Sequence, residues 1–211
     1  LEDQDTSEHI FRQEQSVMPG RLEFARDYVY RGAGEQIPFT LRKVYVFKEN
    51  EYLMEFRVVI DSEQADRLPV ESYTVMFGPQ IGPHFEKLDM RTAYRRLIYY
   101  SDGKRRDFSN KVKESSRVIE DRTAWAAIEG KYFLVAGISY VADLSAYEVG
   151  FDGRPVAAGS LPENKRNALF YRRTIGRTDD IDEGYKFYIG PKKQETLARY
   201  NDRDTNDWRE S

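Results

Sequence analysis

The sequence predicts a mainly β protein, a sandwich of antiparallel sheets closed by one short C-terminal helix. Three observations carry this. Apolar residues recur at every second position over much of the chain, and clusters of Gly, Pro, Asn and Asp break those runs at short intervals. The aromatic residues are 15 Tyr and 12 Phe against 2 Trp, and Tyr and Phe favour strands.

Residues 1–20 are polar and without a clear period, so they form an arm ahead of the sandwich. From Arg21 the period is two. Leu22, Phe24, Tyr28 and Tyr30 share one face of a strand that Arg26 interrupts, and Gly32-Ala33-Gly34 turns the chain. Ile37, Phe39, Leu41, Tyr45 and Phe47 alternate next, followed by the polar break Glu49-Asn50-Glu51 and a second run at Tyr52, Met54, Phe56, Val58 and Ile60. Two such runs around a short polar break predict an antiparallel hairpin of 37–48 with 51–60. Phe39, Leu41, Phe47, Tyr52, Met54 and Phe56 are expected inside it.

Short strands follow at Tyr73–Phe77, Tyr94–Tyr100, Arg105–Ser109, Arg117–Ile119 and Trp125–Ile128, with turns at Gly78-Pro79, Gly82-Pro83 and Ser101-Asp102-Gly103. Tyr132–Ile138 is apolar on both faces, which predicts a central strand covered on both sides. Trp125 and Phe133 are expected core anchors, each costing roughly 3–5 kcal/mol on truncation to Ala. Later strands are expected at Tyr147–Phe151, Ala168–Ile175 and Tyr185–Ile189. After Gly190-Pro191 the period changes: Lys192 to Tyr200 holds good helix formers, with Leu197 and Tyr200 on one face that should dock on the sandwich. Residues 21–200 therefore read as one domain, with a polar tail at 201–211.

The charge balance, 33 basic against 36 acidic residues, argues against a nucleic-acid binder, and Lys104-Arg105-Arg106 and Arg172-Arg173 read as solvated turn or strand faces. Without cysteine there is no disulfide, thiolate metal site or Cys nucleophile. No run approaches the roughly 20 apolar residues of a membrane span. The chain opens on Leu1-Glu2-Asp3 with no signal-peptide pattern and reads as a piece of something longer. The two histidines, His9 in the arm and His84 after Gly82-Pro83, have no spaced carboxylate partners, so neither a zinc site nor a catalytic base is expected. Asp202-Arg203-Asp204-Thr205-Asn206 opens like a calcium loop, but Asp207 stands where Gly is required and the chain ends before a twelfth-position acid. Asp179-Asp180-Ile181-Asp182-Glu183 reads as a charged hairpin loop, and no phosphate, dinucleotide or nucleophile-elbow motif is present. No catalytic, cofactor or metal residue is assigned: the chain reads as an interaction or scaffold domain.

Three stretches, in order, resemble the large periplasmic domain of bacterial YidC-type membrane protein insertases, of the YidC/Oxa/Alb family. IPFTLRKVYVFKENEYLMEFRVVI (37–60) is similar to a Thr-containing strand, a Phe-Lys turn and a Tyr-led alternating strand; its markers here are Phe39 and Tyr52. TAWAAIEGKYFLVAGI (123–138) resembles the family's Trp-led strand followed by Tyr-Phe and a small apolar run, with Trp125, Tyr132 and Phe133 as markers. YKFYIGPKKQETLA (185–198) resembles the closing strand that ends in Gly190 and Pro191 and leads into a helix.

The resemblance implies a super-sandwich of two large antiparallel sheets, akin to galactose mutarotases. It implies a domain on the periplasmic side of the bacterial inner membrane, anchored through segments outside this chain. The implied partners are nascent membrane proteins and Sec translocon components, with no cofactor and no catalytic residue to carry over. Only 36 residues precede the first matching stretch, fewer than the family's usual sheet-forming region, so a smaller sandwich is expected. A carbohydrate-binding or mutarotase-like module on the same fold is the alternative; catalysis there would call for a His beside an acid.

Overall fold

The computed structural model describes residues 11–32, 34–77, 95–107, 116–119, 123–139, 147–152, 168–174, 181–205 and 208. Both histidines, the Gly-Pro turns at 78–83 and the acidic pair Asp179-Asp180 lie outside them. The alternating runs become long strands: β2 (Arg21–Gly32), β3 (Glu35–Phe47) and β4 (Leu53–Asp61) pair antiparallel in sequence, with Tyr28 opposite Phe39, and Phe47 opposite Met54. The expected 37–48 and 51–60 hairpin is therefore present. Asn50 turns it with φ 58°, a left-handed value that Asn tolerates better than most residues.

The expected arm contains a strand. β1 (Arg12–Glu14) pairs with β2 and is tied to it by Arg12, whose Nη1 lies 2.5 Å from Asp27 Oδ2. The remaining strands are β5 (Ser72–Phe77), β6 (Arg95–Ser101), β7 (Lys104–Asp107), β8 (Ser116–Ile119), β9 (Thr123–Gly130), β10 (Phe133–Ser139), β11 (Tyr147–Asp152), β12 (Ala168–Thr174) and β13 (Ile181–Pro191). Asp102-Gly103 forms a two-residue turn between β6 and β7, where Ser101 faces Lys104. The helix, α1, is Gln194–Ala198, shorter than the expected 192–200.

All pairings are antiparallel. They build a nine-stranded sheet in the order β1-β2-β3-β4-β13-β10-β9-β6-β7 and a four-stranded sheet in the order β5-β12-β11-β8. The sheets differ in width because the described strands divide nine to four, and the excess lies on the β1–β4 side.

Two apolar clusters hold the layers together. Between the sheets, Leu169 and Tyr171 from β12 pack on Val58, Tyr99, Ile128, Tyr185 and Phe187 of the large sheet. On the far face of that sheet, Leu53, Ile98, Ala127, Ala136 and Tyr188 are covered by Leu197, Tyr200 and Trp208. β10 is central, between β13 and β9, as its two-sided apolar pattern predicts.

Closeness of packing explains one of its small residues. A Cβ added at Gly137 would lie 2.6 Å from the ring of Tyr171, so only glycine lets that ring approach. The hydroxyl of Tyr171 accepts from the Ala126 N–H at 3.1 Å and donates to the Gly137 carbonyl. Tyr171 is fully buried and thus forms a polar tie from one sheet to the backbone of the other.

Candidate functional site

Among the described residues the small sheet stops at β5, and none of its strands lies over the β2–β4 part of the large sheet. β5 lies across β13: the Phe77 ring meets Phe187 at 5.3 Å and Tyr73 meets Tyr185 at 6.4 Å. Beyond it opens a groove of about 610 Å³, floored by residues such as Phe39, Leu41, Tyr45, Met54 and Phe56. All of residues 72–77 line it. Side chains alternate along a strand, so a strand contributes every residue to a space only when it meets that space edge-on. Among the described residues β5 is paired on one side, with β12, so its other edge carries main-chain donors and acceptors into the groove.

The groove is apolar with a few polar groups. Lys43 projects from its floor, and burial pushes its ammonium below the usual lysine range. Its Nζ sits 3.9 Å from the ring centroid of Phe11, which offsets part of that cost by a cation–π contact. Burial raises the Tyr45 phenol. At the β5 wall, Tyr73 donates to Glu183 Oε2 (2.6 Å) and accepts from Tyr185 (2.8 Å), while Arg173 holds Glu183 Oε1 at 2.7 Å. Burial first, and then these bonds, raise the Tyr73 phenol far above its ordinary value, so it stays protonated as a donor. This chemistry suits apolar contact and main-chain hydrogen bonding.

The sequence-marked residues do not gather in one place. Phe39, 8% exposed, forms groove floor. Tyr52 and Gly190 meet each other: a Cβ at Gly190 would stand 2.7 Å from the Tyr52 ring, so the glycine admits the aromatic side chain. Trp125 is half-buried and stacks on Tyr100 at 5.6 Å. Pro191 closes β13, and its carbonyl accepts from the Tyr188 hydroxyl at 2.7 Å. Burial pushes that phenol up to about 12.

Four expectations of burial fail. Phe133 is 54% exposed and Tyr132 64%, while Phe47 and Tyr52 are 43% and 42% exposed. Phe133 does lie on the face that carries Val135 and Gly137, but among the described residues the small sheet meets β10 at Gly137, under the Tyr171 ring. Phe47 ends β3, away from that contact. Tyr52 precedes β4, and its ring lies beside the far-face core instead of in it.

The C-terminal segment is clamped at the β3–β4 turn. The Tyr200 hydroxyl donates to Glu51 Oε2 (2.7 Å) and accepts from the Tyr52 N–H (3.0 Å). Arg199 reaches Glu51 Oε1 and the Asn50 carbonyl, each at 3.0 Å, and the Glu51 side chain is wholly buried. Trp208, in the expected polar tail, donates its indole N–H to the Leu53 carbonyl at 3.0 Å, with Lys48 Nζ 4.4 Å from its ring centroid. Leu197 and Tyr200 therefore share one apolar patch with a residue that periodicity does not mark. Lys192 joins the sheet through Glu129, at 2.6 Å.

Among the described residues no group of three or more His, Asp or Glu stands placed to hold a metal ion, and no helix is long and apolar enough to cross a membrane. Among the described residues the class is therefore an antiparallel β sandwich with an apolar groove beside a strand edge paired on one side. The chain belongs to the family described as the YidC periplasmic domain, whose pattern matches residues 9–208. It is similar to the membrane protein insertase YidC of Treponema denticola, 27% identical over 203 residues that make up 92% of this chain and 34% of that protein. It is also similar to the membrane protein insertase YidC of Treponema pallidum, 24% identical over 202 residues, 80% of this chain and 31% of that protein. The chain thus spans about a third of the length of these relatives. Family membership puts the domain on the periplasmic side of the inner membrane.

Proposed function

We propose that this is the accessory domain of a membrane protein insertase that aids insertion and folding of inner-membrane proteins, alone or with the Sec translocon. It acts by holding extended apolar segments of nascent chains, without catalysis or cofactor. Its membrane attachment runs through segments outside this chain. The observation that carries the reading is a β5 edge, unpaired among the described residues, beside an apolar groove: main-chain hydrogen bonds add a strand at the edge, and the groove takes alternate side chains. The similarity to two membrane protein insertases supports the same reading.

A fluorescently labelled, extended apolar peptide titrated into the chain tests it by anisotropy. Binding should be lost in Tyr45→Glu, which places a charge on the groove floor, and with a peptide N-methylated at alternate residues, which removes main-chain donors. Equal binding of the N-methylated peptide would sink strand addition. Saturable binding of a glycan, with no binding of the peptide, would put the carbohydrate-binding reading ahead.

A further inference from the structure

The exposed large apolar side chains of the described residues are not scattered. Val29 and Met76 stand elsewhere; the other eight gather at one end of the nine-stranded sheet. Val17 and Met18 occupy the turn before β2, where Leu22 follows, and Phe47 ends β3. Tyr52 precedes β4, Ile189 stands near the end of β13, and Tyr132 and Phe133 begin the return along β10.

Main-chain bonds join these positions into one line. The Phe47 N–H donates to the Gly20 carbonyl (2.8 Å), Ile189 N–H to Tyr52 (2.8 Å), and Lys192 N–H to Tyr132 (2.7 Å). The line crosses β2, β3, β4, β13 and β10, a width of about 20 Å at the usual strand spacing.

We infer that this rim is a bilayer-contacting edge that dips into the headgroup region of an anionic phospholipid membrane. The inference rests on the family reading for the nearness of a bilayer.

Two features favour lipid over a folded partner. The rim straddles both faces of the sheet: Leu22, Phe47, Ile189 and Phe133 share the groove-side face by register, whereas Tyr52 lies by the far-face core. A rigid partner would have to wrap around the sheet end, while a fluid headgroup layer closes around it.

The charges are the second feature. Lys131 is exposed with its Nζ 5.1 Å from the Tyr132 ring centroid, and Lys193 is exposed just after β13, so amines flank the aromatic tips. A lysine beside a tyrosine is suited to an interface, with the ring at headgroup depth and the amine on a phosphate. Glu49 and Glu195 share this end and temper the attraction, so the apolar side chains supply most of the binding. The same strand end leads through Pro191 into α1, and the groove is continuous with the rim through Ile189. Contact here would open the groove toward the membrane surface.

Vesicle co-sedimentation of the chain, with no peptide present, tests the inference separately from the peptide reading. Binding is expected to vesicles of phosphatidylcholine mixed with phosphatidylglycerol, and to be weaker with phosphatidylcholine alone. Tyr132→Ser with Phe133→Ser should lower the partition coefficient about tenfold, whereas Val29→Ser should change it by less than about twofold. Val17→Ser with Met18→Ser, in an exposed turn, decides the matter if the first pair perturbs folding. No co-sedimentation, an equal fall in the rim and control variants, or a dimer in sedimentation velocity that the rim variants dissolve would overturn the assignment.

Discussion

Replacing Tyr171 by Phe removes one oxygen and should cost more than most surface changes combined. The ring would keep its stack on Phe77, at 5.6 Å and 17°, and its place against Gly137. What disappears is the partner of two buried main-chain groups, the Ala126 N–H and the Gly137 carbonyl. A buried donor or acceptor left unmade costs about 1–3 kcal/mol, and the slightly more apolar ring returns a little, so the net loss should be roughly 2–4 kcal/mol. For a domain of this size that is a fall in Tm of about 5–15 °C. Urea denaturation followed by far-UV circular dichroism and by tryptophan fluorescence measures it. Gly137→Ala strikes the same tie from the opposite side, through a Cβ 2.6 Å from the ring, so the two changes should be strongly non-additive. A loss below about 0.5 kcal/mol for Tyr171→Phe would refute the idea that this hydroxyl joins the sheets.

Gly190→Ala should destabilise by about 1–3 kcal/mol through its clash with the Tyr52 ring, and Tyr52→Ala should relieve much of that, as a double-mutant cycle would show. Leu197→Asp with Tyr200→Asp should release the C-terminal segment while both sheets stay folded, read as lost amide protection near 197–208 with unchanged far-UV strand signal, and the full-length protein should insert membrane proteins poorly. Phe133→Ala should cost less than about 1 kcal/mol, and Trp125→Ala more, since the first side chain is mostly exposed. Acid titration should report on Glu23. The Arg21 hydrogen bond, aided by Arg42, lowers Glu23 in the fold from an unfolded value near 4.5, so it stabilises above that value and loses the contribution as pH falls through the lowered one. Glu23→Gln should flatten that part of the stability–pH curve.

Much of the architecture was legible because period and punctuation are local. The hairpin of β3 with β4, the Asp102-Gly103 turn, the central β10 and the closing β13 follow from alternation and turn residues. Alternation names the face of a strand but says nothing of how far the opposite layer extends. Phe47 and Phe133 are on the groove-side face and still half exposed, because none of the four described strands of the small sheet reaches them. The groove was illegible for the same reason: it lies where the described strands of one sheet extend past those of the other. Lys43 interrupts the apolar face of β3 at the floor of that groove, a signal in the sequence whose meaning needs the partner ring of Phe11. β1 and Trp208 lie in segments whose polar composition hides one or two anchoring residues. Arg12 holds Asp27 by charge, and Trp208 reaches the Leu53 carbonyl, neither of which produces a periodic pattern.

The most direct test of the functional reading is site-specific photo-crosslinking in the full-length insertase during membrane-protein synthesis. A photoreactive residue replacing Tyr45, on the groove floor, should capture apolar segments of nascent inner-membrane proteins, and one replacing Val29, exposed on β2, should not. Equal capture at both positions, or none at Tyr45 while insertion proceeds, would contradict the account.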